Sequence, residues 1–157
     1  MKQELNSIKD FMVAGGQPIS TKPTIVDEKL WRFRLELIKE EVRELEEALE
    51  TGDLIEVGDA FADIRYVLGG AEHTFGFADI MPTLFAEVHR SNMTKYCTTV
   101  EEAKDTVGKY LNDGIGVHYE KVGDVYVIYR NEDNKVLKSI NYSPANLREF
   151  IHDKETV

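Results

Sequence analysis

The sequence has a single cysteine, Cys97. An internal disulfide is therefore excluded, and a reducing compartment is expected. Cys97 reads as a small, part-buried side chain rather than a reactive one. Long apolar runs are also missing, and nothing approaches the roughly 20 residues that a membrane-spanning helix needs. The start, Met1 to Phe11, is polar and amphipathic, unlike a secretory signal. The expectation is a cytoplasmic protein with no membrane partner. Positive charge is scarce: 19 Lys and Arg stand against 29 Asp and Glu, a net charge of −10. That balance argues against non-specific binding to nucleic acid or to an acidic membrane. It leaves room for a triphosphate substrate, because a bound cation reverses the local field. There is no internal repeat, no low-complexity tract, no P-loop, no Gly-x-Ser-x-Gly and no Cys-x-x-Cys. The four histidines, His73, His89, His118 and His152, do not sort into a metal set. Carboxylate-bridged di-iron bundles use Glu-x-x-His on two helices. Only one copy occurs here, from Glu149 to His152.

What the chain does have is acid in positions that call for leucine. Leu30 to Glu50 and Leu54 to about Leu68 read as two helices joined by Thr51-Gly52-Asp53. At 3.6 residues per turn, Leu30, Phe33, Leu37 and Ala48 form one stripe of the first, with Leu45 beside it. Glu41 and Glu44 fall inside that stripe, while Arg32, Lys39, Arg43, Glu46 and Glu50 supply the solvent face. On the second helix, Glu56, Asp59 and Asp63 share a face with Ala60, Val67 and Gly70. So short a connection makes the helices antiparallel neighbours, and the two acidic faces can meet. Carboxylates gathered against apolar neighbours repel one another and resist ionisation. A divalent cation relieves both costs, and all-oxygen ligands favour Mg²⁺ or Mn²⁺ over zinc. Solvated surface or pairing with Arg32, Arg34, Arg43 or Arg65 explains single acids such as Glu46, Glu47 and Glu50. It does not explain two acid pairs on consecutive helices.

Glu40-Glu41-x-x-Glu44 followed by Glu56-x-x-Asp59 resembles the EExxE…ExxD signature of the all-α nucleoside triphosphate pyrophosphohydrolases. The resemblance is closest to a MazG-like branch of phosphoribosyl-ATP pyrophosphohydrolase-like proteins. Ala60 to Gly70, Glu87 to Lys95 and Lys135 to Pro144 support that branch, so the likeness covers nearly the whole chain. One departure stands out. Many members place the second motif with its Asp just before the apolar run, as Asp63 is here, yet the residue three before it is Ala60.

The resemblance implies a mainly α fold, a helical bundle with a small C-terminal antiparallel β appendage. It implies hydrolysis of a nucleoside triphosphate to the monophosphate and pyrophosphate, as in house-cleaning of nucleotide pools. Glu41, Glu44, Glu56 and Asp59 would hold Mg²⁺, with Mn²⁺ as the alternative. Glu40, Glu41 and Asp63 are the catalytic candidates, because a carboxylate outside the metal's grip can orient or deprotonate water. Gln17, Arg90, Asn92 and Lys95 are the substrate-binding candidates. Lys95 and Asn92 suit phosphate chemistry, and a glutamine of the first helical segment contacts the base in the dimeric dUTPases. A homodimer or dimer of dimers is implied, since a lone hairpin leaves one face bare. Two other readings stay open: a phosphoribosyl-ATP pyrophosphohydrolase of histidine synthesis, and a non-catalytic module that binds metal or nucleotide.

The rest of the chain frames this hairpin. A first helix spans 1 to 14 and ends at Gly15-Gly16. Thr24 and Asp27 are N-cap candidates for the long helix. A third long segment runs from about Ile80 to Lys95, and Thr99-x-x-Glu102 opens a helix to about Asn112. Residues 115 to 140 read as three antiparallel strands. Ala145 to His152 reads as a closing helix, with Ser143 its N-cap and Pro144 its first position. The expected organisation is a catalytic helical domain, 1–114, with an appendage, 115–157, packed on it.

Overall fold

The computed structural model describes residues 2–151. The chain forms two compact units, one of the residues up to Thr83 together with those from Phe150 on, and one of Leu84–Glu149. The architecture is mainly helical, with a three-stranded antiparallel sheet towards the C-terminus. Among the described residues, no helix is long and apolar enough to cross a membrane.

The first unit is built on α1 (Lys2–Ala14), α2 (Glu28–Thr51) and α3 (Leu54–Thr74). Leu5, Ile8 and Met12 recur at helical spacing and form the buried side of α1. Asp27 caps α2 by accepting from the Leu30 amide, so the Asp27 alternative holds over Thr24. Gly52 ends that helix in the left-handed region, φ 70°. Asp53 at once caps α3, accepting from the Ile55 and Glu56 amides. An end signal and a start signal in adjacent residues make the tight reversal, and α2 and α3 pack along their length. The third helix continues to Thr74, beyond the expected Leu68. Gly69 does not break it. A Cβ there would stand 2.4 Å from Ile8 Cδ1, so glycine lets α1 lie close against α3. His73 Nε2 meets the Leu5 carbonyl at 2.8 Å and ties the same two helices.

The second unit holds most of α4 (Met81–Met93), α5 (Val100–Asn112), β1 (Val117–Val122), β2 (Val125–Arg130) and β3 (Val136–Leu137). The Thr99 hydroxyl accepts from the Glu102 amide, as the capping signal requires. The β1–β2 hairpin turns at Gly123, φ 57°, and places Tyr119 opposite Ile128, which in turn faces Leu137. The sheet packs on α5 around a core of Cys97, Ala103, Val117 and Ile128. Cys97 is fully buried and its backbone bridges to Tyr126.

The expected closing helix is corrected. Only a 3₁₀ turn, Leu147–Glu149, forms there, and His152 lies outside the described residues. The preceding segment is held in another conformation by side chains of α4. The Asn146 amide donates to Glu87 Oε1 at 2.8 Å, and the Pro144 carbonyl accepts from Arg90 Nη2 at 3.1 Å.

Candidate active site

The buried side of α2 runs Leu30, Arg34, Leu37, Glu41, Leu45, Ala48. Phe33, expected in this stripe, is 54% exposed, and Glu44 is exposed as well. The stripe is rotated from the one the apolar residues alone suggest, because two of its positions carry charge. Of the two acids expected inside it, Glu41 is there and Glu44 lies at its edge.

Glu41 is half-buried, and its Oε2 is buried with no hydrogen-bond partner. Such a group carries the full desolvation cost of an unsatisfied acceptor. Burial holds its carboxyl above the usual carboxylate range, and the charges of Glu44, Asp63 and Glu40 push the same way. Asp63 comes from α3 and is half-buried. Its place follows from the turn: Glu41 and Asp63 each lie eleven residues from Gly52. In an antiparallel hairpin with equal rise on both arms, they reach the same level. Glu56 and Asp59 sit nearer the turn and are exposed. By the same count Asp63 comes level with Glu41, on which its charge acts, and the buried Ala60 comes level with Glu44.

Among the described residues, no three His, Cys, Asp or Glu side chains converge into a set that could hold a metal ion. The set Glu41, Glu44, Glu56 and Asp59 is not drawn together as a cage within the chain. The donor chemistry around Glu41 nevertheless fits a hard divalent cation. Every donor is oxygen, the charges repel one another, and one buried oxygen lacks a partner.

The substrate-binding candidates divide between the units. Gln17 is half-buried in the first, where its Oε1 accepts from Arg34 Nη2 at 2.9 Å. Lys95 and Asn92 lie together in the second, joined by a 2.8 Å hydrogen bond. Arg90 is committed to structure. Its guanidinium donates twice to Glu87, at 2.7 and 2.8 Å, and also to the Ser143 hydroxyl and the Pro144 carbonyl. Arg34 was readable from sequence only as one of several arginines able to pair with acids. It is 5% exposed and belongs to the first unit's interior. The signal that marks Glu41, a charge inside an apolar stripe at i, i+3 and i, i+4 from leucines, marks Arg34 equally.

A helical hairpin with carboxylates facing each other across it is the framework of the MazG-like nucleoside triphosphate pyrophosphohydrolases. The phosphoribosyl-ATP pyrophosphohydrolase family model matches residues 8–92, which take in the second half of α1, the acidic hairpin and nearly all of α4. The chain belongs to this family, whose activity is pyrophosphohydrolysis. It is also 24% identical to an uncharacterised protein of Acanthamoeba polyphaga mimivirus, over 92% of this chain and 94% of that protein.

Proposed function

We propose that the protein is a divalent-metal-dependent nucleoside triphosphate pyrophosphohydrolase that releases pyrophosphate and a nucleoside monophosphate. The observation that carries this reading is Glu41, whose buried oxygen lacks a partner and whose carboxyl feels the charge of Asp63 from the other helix. Family membership supports it. Glu41 with Glu44, and Asp63, Glu56 or Asp59 from α3, are the candidates to contribute ligands to Mg²⁺ or Mn²⁺. When bound, such an ion offsets phosphate charge and lowers the pKa of water. Glu40 is exposed beside Glu41 and is free to accept the proton of the attacking water. The water oxygen bonds to phosphorus, the bridging P–O bond breaks, and pyrophosphate leaves.

A second reading, phosphoribosyl-ATP as the substrate, is favoured by the description of the matching family. One experiment separates the two. Pyrophosphate release is measured from a panel of ribo- and deoxyribonucleoside triphosphates and from phosphoribosyl-ATP, with Mg²⁺, Mn²⁺ or EDTA. Metal-dependent release from one or a few nucleoside triphosphates supports the first reading. Release from phosphoribosyl-ATP alone moves the assignment to the second. Metal-dependent nucleotide binding with no release from any substrate leaves a binding module.

A further inference from the structure

The sheet has an unguarded edge. β1 lies on the outside of the order β1-β2-β3, and its 6 residues pair with β2 in unbroken register. In an antiparallel sheet each residue directs its N–H and C=O to one side, and neighbours along the strand alternate. Tyr126 exchanges both backbone hydrogen bonds with Cys97, and the Arg130 amide donates to the Lys135 carbonyl, so the even-numbered residues of β2 bond away from β1. The Asn131 amide donates to the Gly116 carbonyl, so the odd-numbered positions bond towards it. The register sets odd opposite even and therefore commits His118, Glu120 and Val122 to β2. Val117, Tyr119 and Lys121 turn their backbone groups outward, and among the described residues no hydrogen bond takes them up.

Exposed edges are ordinarily guarded by a proline, a bulge or a lysine reaching past the strand. β1 has no proline and no bulge. Its lysine reaches the wrong way for a guard, since Lys121 Nζ lies over the Tyr126 ring of β2, 5.9 Å from the centroid. The side chains also select a partner. His118 and Glu120 are exposed on one face of the strand. When two copies of β1 pair antiparallel, outward residues must meet outward residues, so the two-fold axis passes through a residue. An axis at either end of the strand leaves almost no overlap. An axis at His118, Glu120 or Lys121 sets that residue against itself, and like charges directly opposite are destabilising. An axis at Tyr119 sets each His118 opposite the other copy's Glu120, and Val117 opposite Lys121, along residues 117–121 of both copies.

We propose that β1 pairs with β1 of a second copy of the chain, antiparallel and centred on Tyr119, and joins two three-stranded sheets into one. The outward backbone groups of Val117, Tyr119 and Lys121 close the junction, and the His118–Glu120 pairs fix its register.

Amide hydrogen exchange of the wild-type protein across a dilution series tests the pairing without any variant. The Tyr119 and Lys121 amides should slow by at least about tenfold from the lowest to the highest concentration, while those of His118 and Glu120 stay slow throughout. Outward amides that exchange fast at every concentration overturn the proposal. Outward amides protected equally at every concentration overturn it too, because the edge is then covered within one chain. Engineered thiols test the register. His118 and the other copy's Glu120 would form a non-hydrogen-bonded pair with Cα atoms about 4.5 Å apart, within reach of a disulfide. His118→Cys mixed with Glu120→Cys in oxidised glutathione should give a mixed disulfide dimer, and each variant alone much less. Cys97 is fully buried and does not compete. No crosslink in the mixture, or equal crosslinking of each variant with itself, overturns the proposal. Lys121→Pro removes an outward donor at a position where an edge strand tolerates proline. Added to both chains it should abolish the crosslink, and a crosslink that survives it overturns pairing through the strand edge.

Discussion

Glu41 carries the electrostatic strain of the hairpin. Its carboxyl is held above the usual range first by burial and then by its acidic neighbours, so its ionised form costs the folded state. For an acid raised in this way, the stabilising contribution is full at low pH and is lost as pH rises through the raised value. Glu41→Gln should therefore increase the melting temperature in EDTA at neutral pH, with the gain shrinking on acidification. The wild type should gain stability from Mg²⁺ and the variant much less. A variant less stable than wild type in EDTA at neutral pH would show that Glu41 is already satisfied without metal. This residue was legible from sequence because a glutamate at a leucine position breaks a pattern. Arg34 breaks the same pattern, but an arginine near many acids has an ordinary explanation as an ion pair. The partner of Glu41 was harder to read. Motif spacing points to Glu56 and Asp59, whereas equal distance from Gly52 brings Asp63 level with Glu41. Spacing within one helix says nothing about level across a hairpin until the turn residue is known.

At the scale of elements, the hairpin was readable because its signals are local. Asp27, Gly52 and Asp53 set its ends through their own backbone neighbours. The closing segment was not, because its conformation is decided from a distance. Ser143 and Pro144 look like the start of a helix, yet Arg90 and Glu87 on α4 take the Ser143 hydroxyl, the Pro144 carbonyl and the Asn146 amide. Glu87 is the centre of this clasp. The Arg90 guanidinium, and after it the Asn146 amide, hold its carboxyl down at about 2. For a carboxylate lowered in this way, the stabilisation is complete above its ordinary value of 4.5 and is lost as pH falls towards about 2. Unfolding measured across that window should show the wild type losing stability more steeply than Glu87→Gln, the two converging at the acid end. Parallel curves would mean that the clasp contributes nothing to folding.

At the scale of the molecule, the hairpin leaves apolar surface bare around its turn. Leu54 is 83% exposed, Ile55 81% and Leu49 61%. Large apolar side chains grouped this way are costly in water and mark a surface that meets another. A second copy of the chain is the simplest cover, because the same surface on both subunits can pair about a two-fold axis. Size-exclusion chromatography with light scattering should therefore give a dimer or a dimer of dimers, and a monomer mass at micromolar concentration would contradict it. The sheet unit lies beyond the residues shared with the family, apart from the part of α4 that the match includes. Its fold was legible from strand alternation and the capping box at Thr99.

On the proposed function, Glu41 and Asp63 form the working acidic pair of a pyrophosphohydrolase. The most direct measurement is Mg²⁺-dependent pyrophosphate release by the wild type, Glu41→Gln, Asp63→Asn and the double variant Glu56→Gln with Asp59→Asn, each first confirmed as folded. Release should fall by at least about a hundredfold in Glu41→Gln and in Asp63→Asn, the upper end of the losses seen for groups that merely support metal ligands. The double variant should keep most of its activity. Full activity in Asp63→Asn together with an inactive double variant would contradict the account and move the site towards the turn.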